Sequence, residues 1–470
     1  MQTIVLLTFL TCLCTRIESV LYGLNGVDDG WQVYPGGSYH YGPTILIDDS
    51  GFIHMWTCSP GTGASDWDVI RYHNSSDNGQ SWSPDVVAVI PTPGSLDTFS
   101  ACDPSVVKIN GYYYIGYTST NNPNQAQNQL FLARSLRPDG DFVKWNGSYW
   151  DSANPQPIVA YHGPASKYGI GEPSIVLKDN FVYVYYTNND DTGSYTDLVI
   201  AQLNETNQDT WPRDLKSKGH IIYRRANLGE DSTDIKWCPD LKLFIGVTTI
   251  NRFSVQASVA VYQSTDETGL KFQSTPFIGK RVQQGAHNVG ISGSTTGWFE
   301  LRNQFHFVSY AYQPAGGSWG NWPTYLTPVE VVELPVGTII DAQVSSNFNW
   351  GFSSPFAWDH DVSTCWSSVG HSNEFITINL GQILSSTSLS LVPREKSYGF
   401  PIDFSILASN NSEHFVHILD KHYSSHLPVV HCLFPTTVEA QYYRIVPITY
   451  GEDDHGNKYF QLAEVYVNTN

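Results

Sequence analysis

The stretch ACDPSVVKINGYYYIGYT, residues 101–118, recurs in altered form at residues 171–187 as GEPSIVLKDNFVYVYYT. In each copy one acid, Asp103 or Glu172, stands directly before Pro-Ser, and a threonine follows 15 residues after that acid. Tyr, Val and Ile, which favour β-strands, fill most of the positions in between. A unit of paired strands therefore repeats along the chain, and each of these two copies carries an acid.

Three further copies extend the repeat. One begins at Gly42 and keeps the threonine 15 residues later, but it has glycine in place of the acid. We align Asp234 and Val289 as the fourth and fifth anchors, which gives gaps of 61, 69, 62 and 55 residues between successive anchors. Units of this length hold about four antiparallel strands each and are typical of β-propellers. We predict an all-β chain with a five-bladed β-propeller over residues 21–337.

Composition and charge limit the classes of function. A chain of 470 residues exceeds the usual size of one domain, so at least two are expected. Charged residues make up 15% and aromatic residues 14%, with 38 Gly and 26 Pro, as in turn-rich β-structure. The net charge of −19 argues against a nucleic-acid partner, because such proteins present basic surfaces.

The first 20 residues have an apolar run that is too short to span a membrane, and they indicate a secretory signal peptide. No later segment is long and apolar enough for a spanning helix, so we predict a secreted, extracellular protein without a membrane span. Glycosylation sequons fit this location and occur at Asn74, Asn146, Asn204 and Asn410. The sequence does not determine the oligomeric state.

Five cysteines follow the predicted signal peptide, and an odd number leaves at least one without an intramolecular partner. Cys58 with Cys102, and Cys365 with Cys432, are plausible pairs that the sequence alone does not establish. The spacing of the cysteines and histidines gives no zinc motif.

The two acids are candidates for one functional site. If Asp103 and Glu172 open the innermost strands of adjacent blades, both carboxyl groups lie at one mouth of the central channel. Two carboxyl groups at one site can serve as a proton donor and a proton acceptor. An acid before proline is also compatible with a purely structural strand cap, but matching offsets in consecutive repeats favour a shared site.

The Asp-Pro-Ser and Glu-Pro-Ser strands resemble those of five-bladed glycosidases of glycoside hydrolase family 43. The resemblance implies that Glu172 is the general acid and that Asp103 orients it and tunes its pKa, in a hydrolase that inverts the anomeric configuration. A sialidase is less favoured, because it needs an arginine cluster and this chain has only 25 Lys and Arg.

The sequence departs from the family at Gly42, where a general base is expected. We favour Asp234 as its replacement, and the alternatives are Asp28, Asp29, His40 and His287. Another interpretation is a glycan-binding or matrix protein that keeps the pocket without hydrolysis. We predict that Tyr41, Trp56 and His287 bind substrate, since sugar rings stack on aromatic faces. Trp67, Trp319 and Trp322 are further stacking candidates, although each Trp also suits core packing.

The C-terminal part, residues 338–470, resembles discoidin (factor 5/8 type C) domains. The similarity lies in AWDHDVSTCWSS, residues 357–368, and in the closing strands around residues 443–447 and 462–467. It implies an eight-stranded jelly-roll related to family 32 carbohydrate-binding modules, with carbohydrate as the partner. It also implies a structural calcium ion at Asp361, Thr364 and Glu464, whose hard oxygen atoms suit calcium. A turn without metal is the alternative, and no organic cofactor is expected.

Overall fold

The fold is taken from a computed structural model. It describes residues 20–33, 38–61, 63, 66–223, 230–252, 257–279, 282, 285–302, 306–312, 322–359, 362, 364–370, 372–394, 399–423, 428–452 and 455–469. The predicted signal peptide lies outside the described residues except for Val20. The prediction of an all-β chain is confirmed, because the only helical segments in the described ranges are short 3-10 turns at Trp211–Asp214, Trp350–Phe352 and Ser354–Ala357.

The N-terminal part contains 23 of the described strands. In chain order they are β1 (Tyr22–Gly26), β2 (Trp31–Gln32), β3 (Tyr41–Ile47), β4 (Ile53–Pro60), β5 (Asp68–Ser75), β6 (Val86–Val89), β7 (Cys102–Ile109), β8 (Tyr112–Ser119), β9 (Gln129–Ser135), β10 (Val143–Lys144), β11 (Gly169–Lys178), β12 (Phe181–Asn189), β13 (Ser194–Gln202), β14 (Lys216–Tyr223), β15 (Asp231–Cys238), β16 (Leu243–Ile250), β17 (Ser258–Ser264), β18 (Phe272–Thr275), β19 (Phe277–Gly279), β20 (Ala286–Ile291), β21 (Gly293–Ser294), β22 (His306–Tyr312) and β23 (Thr324–Glu333).

These strands form five mainly antiparallel sheets within the described residues. In strand order, the first sheet is β21-β3-β4-β5-β6, the second β10-β9-β8-β7, the third β11-β12-β13-β14 and the fourth β15-β16-β17-β18. The fifth is β19-β1-β23-β22-β20, with β2 also paired to β23. The N-terminal strand β1 thus pairs with β23, so the beginning and end of this part of the chain share one sheet.

One strand of each sheet lies against its counterparts in the neighbouring sheets. These inner strands are β3, β7, β11, β15 and β20; each contacts the next, and β20 contacts β3. Their residues are almost all buried: β11, for example, has eight consecutive buried positions. Because both faces of such a strand are covered by other sheets, period-2 alternation is lost. Asp103 and Glu172 therefore lie near the start of strands that are buried on both faces.

The C-terminal part has eight described strands: β24 (Asp341–Val344), β25 (Trp366–Ser367), β26 (Ile376–Val392), β27 (Asp403–Ser409), β28 (Val416–His422), β29 (Val430–Thr449), β30 (Gln461–Leu462) and β31 (Glu464–Thr469). Six form one sheet, in the order β24-β26-β29-β27-β28 with β31 beside β26, and β25 pairs with β30. Their apolar side chains bury a separate core that includes Trp366, Phe404 and Tyr443.

A disulfide joins Cys58 of β4 to Cys102 of β7, as one of the two suggested pairs. The other suggested pair is wrong, since Cys365 and Cys432 are both free and buried, as is Cys238. Cys432 lies on β29 in the large sheet, whereas Cys365 precedes β25 of the small sheet. No helix in the described part of the chain has the length and apolar character needed to cross a membrane.

Candidate active site

The five inner strands share one backbone bend near their start. The residue at the bend has a positive φ, a conformation that is uncommon for residues other than glycine. These residues are Gly42 (+57°), Asp103 (+47°), Glu172 (+50°), Ser232 (+35°) and Asn288 (+44°). In each strand the pairing register shifts at the bend, so the bend is a β-bulge. All five residues line one narrow opening, which makes them the true equivalent positions of the repeat.

The predicted alignment is therefore wrong in the fourth and fifth copies, where Ser232 and Asn288 replace Asp234 and Val289 as anchors. Asp234 corresponds instead to Ser105 and Ser174, two positions after the bend. The hydroxyls of these serines accept the backbone N–H groups of Ile175 and Ile235 on the next inner strand, at 2.9 and 2.8 Å. These contacts hold adjacent sheets together.

Asp234 makes the same kind of contact. Its Oδ2 accepts the N–H of Ile291 at 2.9 Å, and its Oδ1 accepts the Ser174 hydroxyl at 2.7 Å. Lys236 Nζ lies 2.6 Å from Oδ1, and the lysine side chain is only 1% exposed. Both carboxylate oxygens of Asp234 are thus held by structural partners, which does not suit a group that must accept a proton from water.

Asp103 and Glu172 lie near the start of the neighbouring inner strands β7 and β11, and each is paired with the threonine that follows it by 15 residues. Thr187 Oγ1 donates to Glu172 Oε2 at 2.5 Å. Thr118 hydrogen-bonds the Asp103 carboxyl and also accepts the backbone N–H of Glu172 at 2.8 Å. The threonines are placed there because they lie beside the bend on the partner strands β8 and β12. The spacing of 15 residues between acid and threonine recurs because the threonine hydroxyl hydrogen-bonds the carboxyl group of the acid in both copies.

The electrostatics of the pair favour a retained proton. Burial, followed by the negative charge of Glu172, raises the pKa of Asp103 to about 8. Asn288 Nδ2 donates to Asp103 Oδ1 at 3.1 Å. Two carboxyl groups that repel each other when both are ionised, in a poorly solvated site, share one proton near neutral pH. The loss of this last proton is opposed by the negative charge already present. The pair can therefore supply a proton to a bound molecule.

A cavity of about 580 Å³ lies over the two acids. Its walls combine aromatic, amide and charged side chains, as sugar-binding pockets do. The described lining residues are Tyr39, Tyr41, Trp67, Asp68, Ser100, Cys102, Asp103, Thr118, Thr120, Gln125, Asn128, Tyr168, Glu172, Arg252, His287 and Asn288. Six residues of this part of the chain are predicted to act in catalysis or substrate binding, and four of them, Asp103, Glu172, Tyr41 and His287, line this cavity.

Tyr41 and His287 precede Gly42 and Asn288 at their bends, and their ring centroids are 6.4 Å apart. Burial lowers the pKa of His287 to about 3, so the imidazole is neutral at physiological pH. Burial also holds the pKa of the Tyr41 hydroxyl well above its usual value. Both side chains are therefore uncharged hydrogen-bonding groups, suited to sugar hydroxyls.

The structure contradicts the substrate role predicted for Trp56. Its ring is fully buried in the core between the first two sheets, and its indole N–H donates to Pro138 O at 2.9 Å. Trp67 does line the cavity and stacks on Phe99 with ring centroids 4.7 Å apart. Trp322 is 1% exposed behind His287, and Trp319 lies outside the described residues.

The other base candidates lie elsewhere. Asp28 and Asp29 are exposed and do not line the cavity. His40 is buried with Nδ1 2.8 Å from Ser59 Oγ, and burial lowers its pKa to about 4. Of the alternatives, only His287 reaches the cavity, and its low pKa makes it a weak proton acceptor.

Sequence reasoning missed several wall residues. Asp68 and Arg252 are the most notable, because each brings a charge into the cavity. Arg252 pairs with the buried Asp231 at 2.6 Å. Burial lowers the pKa of Arg252, but the negative charges of Asp231 and Glu172 contribute to raising it above its usual value. Neither residue stands in the repeated motif. An acid directly after Trp67, at the start of a strand in the glycine-bearing sheet, was the available signal for Asp68.

The predicted calcium site is partly described. Asp361 lies outside the described residues. Thr364 Oγ1 donates to Asp359 Oδ2 at 2.8 Å, and Glu464 is fully buried. The pKa of Tyr466 is raised by burial and then by the charges of Glu464 and Asp359. The calcium site stays a prediction.

Comparison with known proteins defines the class at the C-terminal end. Residues 341–465 match the family described as F5/8 type C domain, so the discoidin-type prediction is confirmed. No curated protein matches the chain.

Solved structures similar to this chain include glycoside hydrolases and carbohydrate-binding modules. A protein described as a glycoside hydrolase has a TM-score of 0.42 and 14% identity, over 93% of this chain and 99% of that one. A family 117 glycoside hydrolase from the marine bacterium Zobellia galactanivorans has a TM-score of 0.48 and 12% identity, over 66% and 91%. A family 32 carbohydrate-binding module from C. perfringens NanJ, in complex with galactose, has a TM-score of 0.24 and 20% identity, over 27% and 91%. The resemblance to family 43 stays a prediction.

Proposed function

We propose that this protein is a secreted glycoside hydrolase whose five N-terminal sheets form a five-bladed β-propeller. The observation that carries the proposal is the pair of carboxyl groups, Asp103 and Glu172, at the floor of one cavity, where burial and mutual repulsion retain a proton. Protonation of a glycosidic oxygen needs such a group, since the sugar leaves poorly as an alkoxide. The cyclic contacts of the inner strands support the propeller arrangement.

In this proposal Glu172 donates the proton to the leaving oxygen. Asp103 stays beside it as the group that raises the proton affinity of the pair. Tyr41 and His287 bind hydroxyl groups of the sugar as neutral partners. Asp234 has a structural role in this scheme, because Lys236, Ser174 and Ile291 already engage its carboxylate.

The C-terminal domain is proposed to hold the enzyme on glycans, and tethering to a polymeric substrate raises the local concentration of cleavable bonds. Calcium bound at Asp361, Thr364 and Glu464 would fix the loop of this domain. Calcium would act there by neutralising the buried carboxylate of Glu464, and no catalytic step depends on it.

The test is release of reducing ends from a panel of extracellular polysaccharides and glycoprotein glycans. We expect Glu172→Gln to lower kcat about 10²–10⁴-fold on natural glycans, which is the usual contribution of a general acid. The loss should be much smaller on dinitrophenyl glycosides, whose leaving group needs no proton. Glu267→Gln is the matched control and should keep full activity, because Glu267 is an exposed carboxylate in the turn between β17 and β18.

Two results contradict the proposal. Full activity of Glu172→Gln on natural glycans would exclude Glu172 as the acid. A wild-type protein that binds glycans but releases no sugar from any of them would favour the glycan-binding alternative.

A further inference from the structure

The first sheet lacks an acid at its bend, yet it places one carboxylate in the cavity. Gly42 occupies the bend of β3, and Asp68 begins β5, two strands away in the same sheet. Asp68 lines the cavity together with Asp103 and Glu172. The three are the carboxyl groups among the described lining residues. The cavity thus holds a third carboxylate in addition to the pair that shares a proton.

The carboxylate of Asp68 is fixed in place. Tyr39 Oη donates to its Oδ1 at 2.6 Å, and Ser100 Oγ donates to its Oδ2 at 2.9 Å. The backbone of Asp68 also bridges the segment before β7, since Ala101 N donates to Asp68 O at 3.0 Å. Each carboxylate oxygen has one donor and keeps a lone pair for another partner. This differs from Asp234, whose oxygens are occupied by an ammonium group, a hydroxyl and a backbone amide.

A disulfide lies beside Asp68 and next to Asp103 in the chain. A carboxylate oxygen of Asp68 and the sulfur atoms of Cys58 and Cys102 lie within 4.8 Å of one another. Because the two cysteines are bonded to each other, Asp68, Cys58 and Cys102 do not form a metal site. The disulfide instead stabilises this wall of the cavity. Cys102 directly precedes Asp103 in β7. The disulfide therefore links the strand that carries Asp103 to the sheet that carries Asp68.

The electrostatics of the cavity are consistent with a role for Asp68 as proton acceptor, separate from the proton-donating pair of Asp103 and Glu172. The charge of Asp68 contributes to the raised pKa values of both Tyr41 and Asp103, so it faces the same space. Burial raises the pKa of Asp68 itself, while the hydrogen bonds from Tyr39 and Ser100 lower it. Its titratable neighbours are Tyr39, Tyr41 and Asp103. A carboxylate that is more basic than usual is suited to accept a proton from water.

We propose that Asp68 is the general base of the hydrolysis. It replaces the acidic residue that is expected at position 42, where this chain has glycine. This inference rests on the proposed function. Asp68 takes one proton from a water molecule, whose oxygen bonds to the anomeric carbon as the glycosidic C–O bond breaks. Glu172 gives one proton to the leaving oxygen. The reaction consumes one water, inverts the anomeric carbon and leaves Asp68 protonated and Glu172 ionised until they exchange protons with solvent.

The experiment compares Asp68→Asn and Asp68→Ala with the full-length wild type on the glycan that the panel identifies. We expect a fall in kcat of about 10²–10⁴-fold with little change in KM, and loss of the acidic limb of the pH profile of kcat/KM. Sodium azide should restore turnover in Asp68→Ala and yield a glycosyl azide of inverted configuration, because azide needs no base. The matched control is Asp49→Asn, since Asp49 is an exposed acid in the turn between β3 and β4 of the same sheet.

Tyr39→Phe and Ser100→Ala test the pKa of Asp68 through the acidic limb of the pH profile, which should not shift if Asp68 has only a structural role. Each removes a donor to the ionised form, so the acidic limb should shift to higher pH while azide has no effect. Melting temperatures of all variants show whether a loss of rate reflects unfolding.

The outcomes separate the two proposals. If the wild type hydrolyses the glycan and Asp68→Asn does so equally well, Asp68 is not the base although the hydrolase assignment stands. If Asp231→Asn rather than Asp68→Asn loses the acidic limb, Asp231 is the base. If the wild type hydrolyses nothing, the proposed function fails, and the role of Asp68 fails with it.

Discussion

The hydroxyl of Thr118 accepts the backbone N–H of Glu172 at 2.8 Å and so joins the second sheet to the bend of the third. The same hydroxyl hydrogen-bonds the carboxyl of Asp103. One side chain therefore sets the position of one acid and the backbone of the other. Because a hydroxyl has one proton to donate, donation to Asp103 and acceptance from Glu172 are compatible.

Replacing this hydroxyl should change the pH dependence of the site. The hydrogen bond from Thr118 lowers the pKa of Asp103, so Thr118→Val should raise that pKa above its value of about 8. The proton of the acid pair is then kept to higher pH, and the alkaline limb of the kcat/KM profile should move upwards. Thr57→Val is the matched control, since Thr57 follows Gly42 by the same spacing and lies 3.2 Å from Ser59 Oγ. An equal shift in both variants would refute the assignment.

Asp103 should make the protein less stable as the pH rises. Burial and the charge of Glu172 raise the pKa of Asp103 to about 8, from 3.8 for an unperturbed Asp, so the carboxyl pair keeps one proton in the folded protein up to about that pH. Folding therefore retains a proton between these values, and the free energy of unfolding falls as the pH rises from about 4 to about 8. Asp103→Asn should be inactive but melt higher than the wild type at pH 9, with no such gain near pH 4. Calorimetry at both pH values tests this, and a difference that is independent of pH would contradict it.

The structural role of Asp234 predicts a loss of stability. Asp234→Asn leaves the ammonium of Lys236 buried without its counter-charge, and breaking a buried pair in this way costs about 3–5 kcal/mol. Urea denaturation should show this loss, and Asp234→Asn with Lys236→Met should recover part of it. The folded fraction of either variant should keep its acidic pH limb. A stable Asp234→Asn protein without activity would instead support Asp234 as the base.

Calcium should stabilise the C-terminal domain through Glu464. We expect added calcium to raise the melting temperature of the wild type and EDTA to lower it, because a ligand that binds only the folded state stabilises it. Glu464→Gln should remove this response, while Glu439→Gln, an exposed acid on β29, should keep it. A wild-type melting temperature that is unchanged by calcium and EDTA would indicate a turn without metal.

The sequence was informative where the repeat motif is intact. Asp103 and Glu172 are each followed by Pro-Ser and paired with a threonine at fixed spacing, and the sequence correctly aligns them as equivalent positions of the repeat. The fourth and fifth copies have Thr233 and Val289 after the bend in place of proline. Without that marker, the nearby Asp234 was the best available anchor. A positive φ at serine or asparagine leaves no trace in composition, so the bends at Ser232 and Asn288 could not be located.

Side-chain direction was the other source of error. Trp56 lies in β4, where seven successive residues are buried, so alternation gives no sign of which side chains face a cavity. Asp68 is at the start of a strand outside the repeated motif, and only the packing of three sheets brings it to Asp103. Contacts between distant segments of this kind depend on how the sheets are arranged around the inner strands.

Gly42 also restricts the order in which substitutions can accumulate. A Cβ at this residue would lie 3.3 Å from both Asp103 Cα and Asp103 Oδ1, and 3.7 Å from Asn288 Nδ2. Any acid introduced at residue 42 would thus crowd the Asn288–Asp103 hydrogen bond and add a negative charge beside two others. Single substitutions of Gly42 by a larger residue should therefore be unfavourable, because of the contacts with Asp103 and because of the positive φ of +57° at this position.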